Sequence, residues 1–501
     1  MLRKQNELKL SPYLGLFDIL VKADNRLRLF HDMVDWSFVR RELKAKYSEL
    51  KGRTAVEPEV LLKCLVLKEM TELSDRDLME EVRVNMAYKY FLDMLPEEMP
   101  FDHTLLSKFR RDRLKDCKLL DKLLAESLRL ALEHGVLKRG GNGKVRLTVA
   151  LDSTHTQSLG RVLLPREGIA YFCKKFIKAV EESYGDEDGR WGKVPRFKAT
   201  DEAVAYARDL LSRVLEAHPD CTAGGKTMHI HNRLVEALDD VADHGTCSPS
   251  DRDARMGHKT RDTTFGGYKE HLAVDVESGM VVAAEVTSGE ASDTPSGERL
   301  VDTMTAGATL ELERVIGDGA YGSTAMMLKA AAEEGGFDLV ATPNSMLGAS
   351  QGNYQAKGFT YNKDADMLVC PAGHMALRWV VRHYKQEKND HVRVYHFDVD
   401  KCRTCARREG CYKQGAKTKT CSVTILTEIQ QNYLKKTQTE EFKNHFKRRT
   451  AAERTNSQLK SGRGGGLRKA RYYGLRMMTM QTAVALFVYN LKKILCKKSK
   501  K

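Results

Sequence analysis

No stretch of this chain stays apolar long enough to cross a bilayer. The longest late run, Ala483 to Tyr489, is seven residues, against the roughly 20 that a spanning helix requires. A signal-like apolar run is also missing from the N-terminus, so a cytoplasmic protein is expected. Its 11 cysteines, odd in number and scattered over 501 residues, argue against a disulfide scaffold. Most of the chain lacks net charge as well. The formal charge is +15, but Lys435 to Lys501 alone holds 19 Lys or Arg against 3 Glu, which leaves the preceding residues close to neutral.

A basic tail is ordinarily a solvated, solubilising end. Here the positive charge clusters around Glu453 and continues through S-G-R-G-G-G-L-R-K-A-R-Y-Y-G-L-R, which favours a surface for a polyanion backbone. Nucleic acid is the expected partner. The length exceeds what one core organises, so about three domains are expected.

The chemistry-bearing stretch is Val145 to Thr154, V-R-L-T-V-A-L-D-S-T, which reads as a buried strand ending at Asp152 at the edge of a sheet. One such Asp ordinarily caps a turn. The arrangement recurs at Leu312 to Tyr321, L-E-R-V-I-G-D-G-A-Y, where an apolar strand ends at Asp318 between two glycines that let the backbone turn sharply. A third acid lies in His445 to Lys460, H-F-K-R-R-T-A-A-E-R-T-N-S-Q-L-K, which has no Gly or Pro. Read as one helix, its spacing sets Phe446, Arg449, Glu453 and Lys460 on one face.

These three stretches resemble the bacterial insertion-sequence transposases of the DDE type. The C-terminal signature of one large group of them is Y-x2-R-x3-E-x6-K, and this chain has F-x2-R-x3-E-x6-K, with Phe446 removing the hydroxyl. The resemblance implies an α/β catalytic core, an RNase H-like mixed sheet flanked by helices, with Asp152, Asp318 and Glu453 as its catalytic acids. It also implies cutting and joining of double-stranded element ends. Two ends must be paired in space, so a dimer or higher assembly on DNA is expected. Two alternatives stay open: a structure-specific nuclease on the same fold, and an inactive remnant that only binds DNA.

The chemistry agrees with that reading. Three carboxylates brought together repel and protonate unless cations neutralise them, and oxygen-rich sites suit Mg²⁺ or Mn²⁺. Two such ions about 3.5 to 4 Å apart can serve the attacking and leaving oxygens of a phosphoryl displacement. Arg449, Lys460, Arg448 and Lys447 are expected to hold phosphates, and Phe446 to stack or pack. Tyr472 and Tyr473 could stack on bases but are more often core. His155 and His271 are expected to be satisfied polar residues outside the metal site.

Around this core the chain divides as follows. Residues 1–137 read as a helical domain for end binding or assembly, with Lys108, Arg110, Arg111 and Arg113 as candidate contacts. Residues 144–343 hold the first part of the core, interrupted by a helical insertion at 160–243. Residues 344–433 form a second insertion, and 434–501 complete the core with basic helices. The second insertion carries C-P-A-G-H at Cys370, C-R-T-C at Cys402 and Cys405, then Cys411 and Cys421. A C-x2-C step suits tetrahedral Zn²⁺, with Cys370 and Cys411 completing four ligands; reduced surface thiols are the plain alternative.

Overall fold

The computed structural model describes residues 2, 10–48, 54–115, 118–185, 189–245, 248–259, 262–307, 309–343, 358–362, 364–383, 391–425, 428–461 and 466–498. Six strands build the central sheet: β1 (Val145–Gln157), β2 (Arg255–His258), β3 (Thr264–Asp275), β4 (Val281–Ser288), β5 (Leu310–Gly317) and β6 (Asp338–Ala341). β1 lies in the middle, antiparallel to β3 on one side and parallel to β5 on the other, with β6 parallel beyond β5. The outer edge of β3 is shared, its first residues pairing with β2 and its remainder with β4. Three antiparallel strands followed by two parallel to the first is the RNase H-like order.

β1 earns its central place by composition. Val145, Leu147, Val149, Ala150 and Leu151 are all buried, as expected of a strand covered on both faces. The strand does not stop at Asp152, contrary to the sequence expectation. It runs on to Gln157 because β3 keeps pairing with it as far as Gly267. Asp152 therefore stands inside a central strand and not at the edge of the sheet.

The helix Leu475–Lys498 is the spine of the molecule. From Ala483 to Leu491 every residue is buried, so this helix must be covered all round. Its cover comes from β4, from the Glu453-bearing helix Thr450–Lys460, and from the N-terminal helices Pro58–Thr71 and Leu119–Glu133. The N-terminal helices thus share one continuous apolar core with the sheet. Asn490 ties three of these pieces together while fully buried. Its side chain accepts from the Val281 amide at 2.9 Å and donates to the Val281 carbonyl at 2.8 Å and to Ser127 Oγ at 3.1 Å. The start of the spine helix is held by the D-x-D pair: Asp253 accepts from the Leu475 amide at 2.8 Å, and Asp251 accepts from Gly474 at 3.1 Å and from the Tyr268 hydroxyl at 2.5 Å.

Both insertions carry their own small cores. Helices Pro165–Tyr184, Thr200–Ala217 and Gly225–His244 bury one another's apolar faces, including Phe172, Phe176, Leu210 and Leu234. Asp240 anchors that bundle by pairing with Arg252 at 3.0 Å and Arg255 at 3.3 Å. The second insertion folds into a three-stranded sheet and a hairpin, and the chain returns through helix Glu428–Thr437. Tyr433 fastens that return to β6, accepting from the Ala341 amide at 3.0 Å and donating to its carbonyl at 2.6 Å. Among the described residues no helix is long and apolar enough to cross a membrane.

Two of the four N-terminal cations singled out from sequence are structural. Arg110 is buried, forks onto Asp75 at 3.1 and 2.5 Å, and lies 4.9 Å over the Tyr472 ring. Arg113 bonds the Lys46 carbonyl and covers Tyr47 at 4.5 Å, while Arg111 forks onto Asp112 at 2.7 and 3.0 Å. Lys108 is exposed.

The Asn490 bracket gives a stability test. Asn490→Leu keeps the volume close but strips partners from the Val281 amide and carbonyl, each of which then costs about 1–3 kcal/mol if left unpaired and buried. Urea unfolding should show a lower midpoint for this variant, whereas Lys174→Ala, at an exposed position, should unfold as the parent does.

Candidate active site

Strand register brings the first two acids together. β1 and β5 run parallel, with Thr148 opposite Arg314, Val149 opposite Val315 and Ala150 opposite Ile316. Carried two residues past the last paired positions, that register aligns Asp152 with Asp318 on the same face. β5 has just ended at Gly317, and Asp318 turns into a short 3₁₀ turn, its carboxylate accepting from the Ala320 amide at 2.9 Å. Further along the same side of β1, the segment after the Glu453 helix takes over. Gln157 forms a parallel bridge with Lys469, and Thr156 Oγ1 donates to the Leu467 carbonyl at 2.7 Å. Asp152 lies in the gap between these two neighbours.

The third acid reaches this gap from above. Helix Thr450–Lys460 packs on β1 through Ala452, Thr455, Asn456 and Leu459, whose spacing makes one face. Asn456 Nδ2 donates to Asp152 Oδ2 at 2.9 Å, which fixes the helix to the first acid one turn after Glu453. Burial is the main cause that pushes the Asp152 carboxyl up to about 6; the Ser153 amide and Arg449 oppose it, and Asp318 and Glu453 add to it. Asp318 and Glu453 therefore stand near enough to Asp152 for their charges to act on its carboxyl. Glu453 itself is half exposed and accepts from Arg449 at 2.7 Å. Among the described residues, no three His, Cys, Asp or Glu side chains are gathered into a ready metal-binding group.

One expectation fails here. The stretch from His445 to Lys460 is not one helix but helix Glu440–Phe446, a 3₁₀ turn at Lys447–Arg449, and helix Thr450–Lys460. The change of pitch lets Phe446 lie parallel to Phe442, with ring centres 6.2 Å apart, while the next helix presents Asn456 to Asp152. No Gly or Pro marks the break. Phe446 is partly buried against the core and has Arg449 5.7 Å over its ring.

The other expected phosphate contacts are placed as follows. Lys447 is exposed and bonds Asn444 at 3.2 Å, and Arg448 pairs with Glu277 in the β3–β4 turn. Lys460 turns inward, its Nζ 3.4 Å from His155 Nδ1, where burial holds it below the usual lysine range against the pull of Glu270 and Asp152. His155 lies 4.6 Å from the Phe265 ring, and burial followed by Lys460 holds it down to about 4. Arg468 and Lys469 are exposed beside the open side of β1.

One residue beside the site carried no signal in the sequence. Asp293, at the start of helix Asp293–Thr305, accepts from Ser153 Oγ and from Lys269 Nζ, each at 3.1 Å. It lines a cleft of about 570 Å³ with Met256, His258, Lys269, Glu290 and Ala320, adjoining Asp318. His271, fully buried, bonds Thr287 Oγ1 at 2.9 Å. Asn456 could have been found, since a residue three after Glu453 shares its helix side. The cysteines Cys370, Cys402, Cys405 and Cys411 lie together in the second insertion, away from the acids.

Glu270, opposite Thr154 on β3, is fully buried, and neither carboxylate oxygen has a hydrogen-bond partner among the described residues. Its neighbour Thr156 spends its hydroxyl on Leu467 instead. Burial pushes the Glu270 carboxyl up from an ordinary 4.5 to about 8. Because the folded value is the higher one, the stability tied to this group is complete below the unfolded value and falls as pH rises toward the folded one. Glu270→Gln should therefore change the urea midpoint little at pH near 4.5 and raise it at pH near 8. Equal midpoint shifts at both pH values would show Glu270 ionised throughout.

Comparison with known proteins gives two family matches. Residues 16–112 match the transposase domain DUF772, and residues 369–495 match a transposase DDE domain. No curated protein matches the chain. A solved piggyBac transposase synaptic complex with hairpin DNA is similar over 94% of this chain and 74% of that chain, at 10% identity and a TM-score of 0.36, a likeness too weak to carry an argument. The chain thus carries a transposase domain near its start and, over residues that include Glu453, a transposase DDE domain.

Proposed function

We propose that Asp152, Asp318 and Glu453 are the catalytic acids with which this transposase cuts and joins element ends. The observation that carries the reading is the β1–β5 register, which sets Asp152 level with Asp318 under the helix that bears Glu453. Transposases with a DDE domain generally use divalent metal ions. The donor chemistry fits one: Asp318 and Glu453 both act on the Asp152 carboxyl, which burial holds up, and carboxylate oxygens suit a hard divalent cation. Asp152, Asp318 and Glu453 would hold Mg²⁺ or Mn²⁺, two ions in the full site. When bound, such ions supply Lewis-acid activation of the attacking oxygen and charge neutralisation of the leaving oxygen.

The chain's own residues do the positioning. Asn456 fixes the first acid by one hydrogen bond, and the Ala320 amide fixes the second. Arg449 holds Glu453 at 2.7 Å and acts on the Asp152 carboxyl. A phosphate arriving at Arg449 would compete for the same guanidinium and free the third carboxylate. Lys460, turned inward, adds a point charge beneath Asp152, whereas Arg448, Lys447, Arg468 and Lys469 offer a basic track for double-stranded DNA along the open side of β1. Phe446 serves as packing for Arg449 more than as a base-stacking platform. At least a dimer is required to hold two ends at once, and the working compartment is the cytoplasm.

The test separates chemistry from binding. Purified protein, labelled element ends and Mg²⁺ would be run on a sequencing gel that resolves nicks, double-strand cuts and joined products. Asp152→Asn, Asp318→Asn and Glu453→Gln should each reduce all products to background while end binding stays intact. Arg468→Ala and Lys469→Ala should weaken binding, with the slope of log K against log salt shallower by about one unit for each phosphate no longer neutralised. Normal cutting by Glu453→Gln would remove it from the site, and cutting without joined products would point to a nuclease.

A further inference from the structure

The second insertion is held together by very little apolar packing. Strands Arg378–His383, His391–Phe397 and Lys419–Ile425 form its sheet, and Thr360–Asn362 pairs with Met367–Val369. Among the described residues, its buried apolar cluster consists of Phe359, Leu368, Ala376, Tyr395 and Phe397. So few side chains are a slight core for a body of this size, and small bodies of this kind are ordinarily fastened by disulfides or a metal. Cys370, Cys402, Cys405 and Cys411 form no disulfide, so such a bond does not fasten it.

Beside that cluster lies a cavity of about 520 Å³, and its wall gathers Cys370, His374, Cys402, Cys405 and Cys411. They come from three separate stretches: the tight turn after Met367–Val369, the short helix Val399–Arg403 with the turn that follows it, and the next loop. The first turn is closed by Gly373, at φ +83°, donating to the Cys370 carbonyl at 2.8 Å, and by Cys370 donating to the His374 carbonyl at 2.9 Å. Cys402 stands near enough to Cys370, Cys405 and Cys411 for all three thiols to act on it electrostatically. The Arg407 amide donates to Cys405 Sγ at 3.3 Å, which fixes the position of that sulfur. Cys421 does not line this cavity; it is paired across the sheet from Tyr395 and, like Cys370 and Cys402, packs against the apolar cluster.

We propose that Cys370, Cys402, Cys405 and Cys411 hold one structural Zn²⁺ that fastens the second insertion. Four thiolates suit tetrahedral zinc and leave no open position for catalysis. Because no three of these groups are yet gathered at ligand distance among the described residues, zinc would close the cavity by side-chain rotation instead of entering a finished cage. The site is distinct from the acids in place and in ligand chemistry, so its test does not depend on transposition.

Elemental analysis of the full-length protein, purified under reducing conditions without added metal, should find about one zinc per chain. Cys402→Ser with Cys405→Ser should lose it, while Cys421→Ser and His374→Ala keep it. Cobalt exchanged into the parent should give the visible bands of a tetrahedral thiolate site, a readout that does not require the serine variants to fold. Chelation should open residues 359–425 to protease before the rest of the chain. Zinc near zero in freshly reduced parent protein, or cobalt bands without thiolate character, would overturn the assignment. Loss of zinc from Cys421→Ser would overturn the ligand set.

Discussion

A helix that is apolar on every side has to be buried on every side, and in this chain that requirement decides how the parts fit. Helix Leu475–Lys498 is closed in by β4, the Glu453 helix and two N-terminal helices. The N-terminal helices cannot leave without exposing its apolar surface to water. The DUF772 region and the catalytic sheet are therefore physically one body, although they match separate family models. Tyr489 extends the constraint to the site, its hydroxyl lying 3.1 Å from Thr455 and 3.2 Å from Gln458 on the Glu453 helix.

Within this body the acids are placed by backbone geometry. A parallel register cannot slip by one residue without turning Asp152 to the opposite face, and the buried run before it resists such a slip. Concentrating negative charge in a half-buried gap is costly, and the cost appears in the raised Asp152 carboxyl. Arg449 and Asn456 offset part of it.

The alternation of apolar strands and helices was readable from the chain: the apolar run into Asp152, the strand that ends just before Asp318, and the helices on either side. Those signals are local, and so they survive in a single sequence. Less legible was anything that depends on what lies opposite. The length of β1 is set by β3 and by the Leu467–Ala470 segment, neither of which is adjacent in sequence. The 3₁₀ break at Lys447–Arg449 comes from packing Phe446 one way and Asn456 another, and no residue type announces it. Arg110 read as a surface cation, whereas its partner Asp75 lies on a different helix. Glu270 was invisible because an acid in a strand reads as exposed until its neighbours are known.

The glycine-rich basic loop shows how the N-terminal helices reach the site. Glu69, 2% exposed, accepts from the Gly466 amide at 2.8 Å and from Arg471 at 3.0 Å, and Gln481 clasps the same loop through the Gly466 and Lys469 carbonyls. A Cβ at Gly466 would come within 2.0 Å of the Glu69 carboxylate, so only glycine lets the loop pass. Burial pushes the Glu69 carboxyl up to about 7, against Arg471. A buried pair of this kind contributes little net stability, because desolvation offsets the Coulomb gain. Its effect is positional: Glu69 holds the loop where Leu467 and Ala470 bond the end of β1, and the same bonds leave Arg468 and Lys469 facing outward beside the gap that holds Asp152.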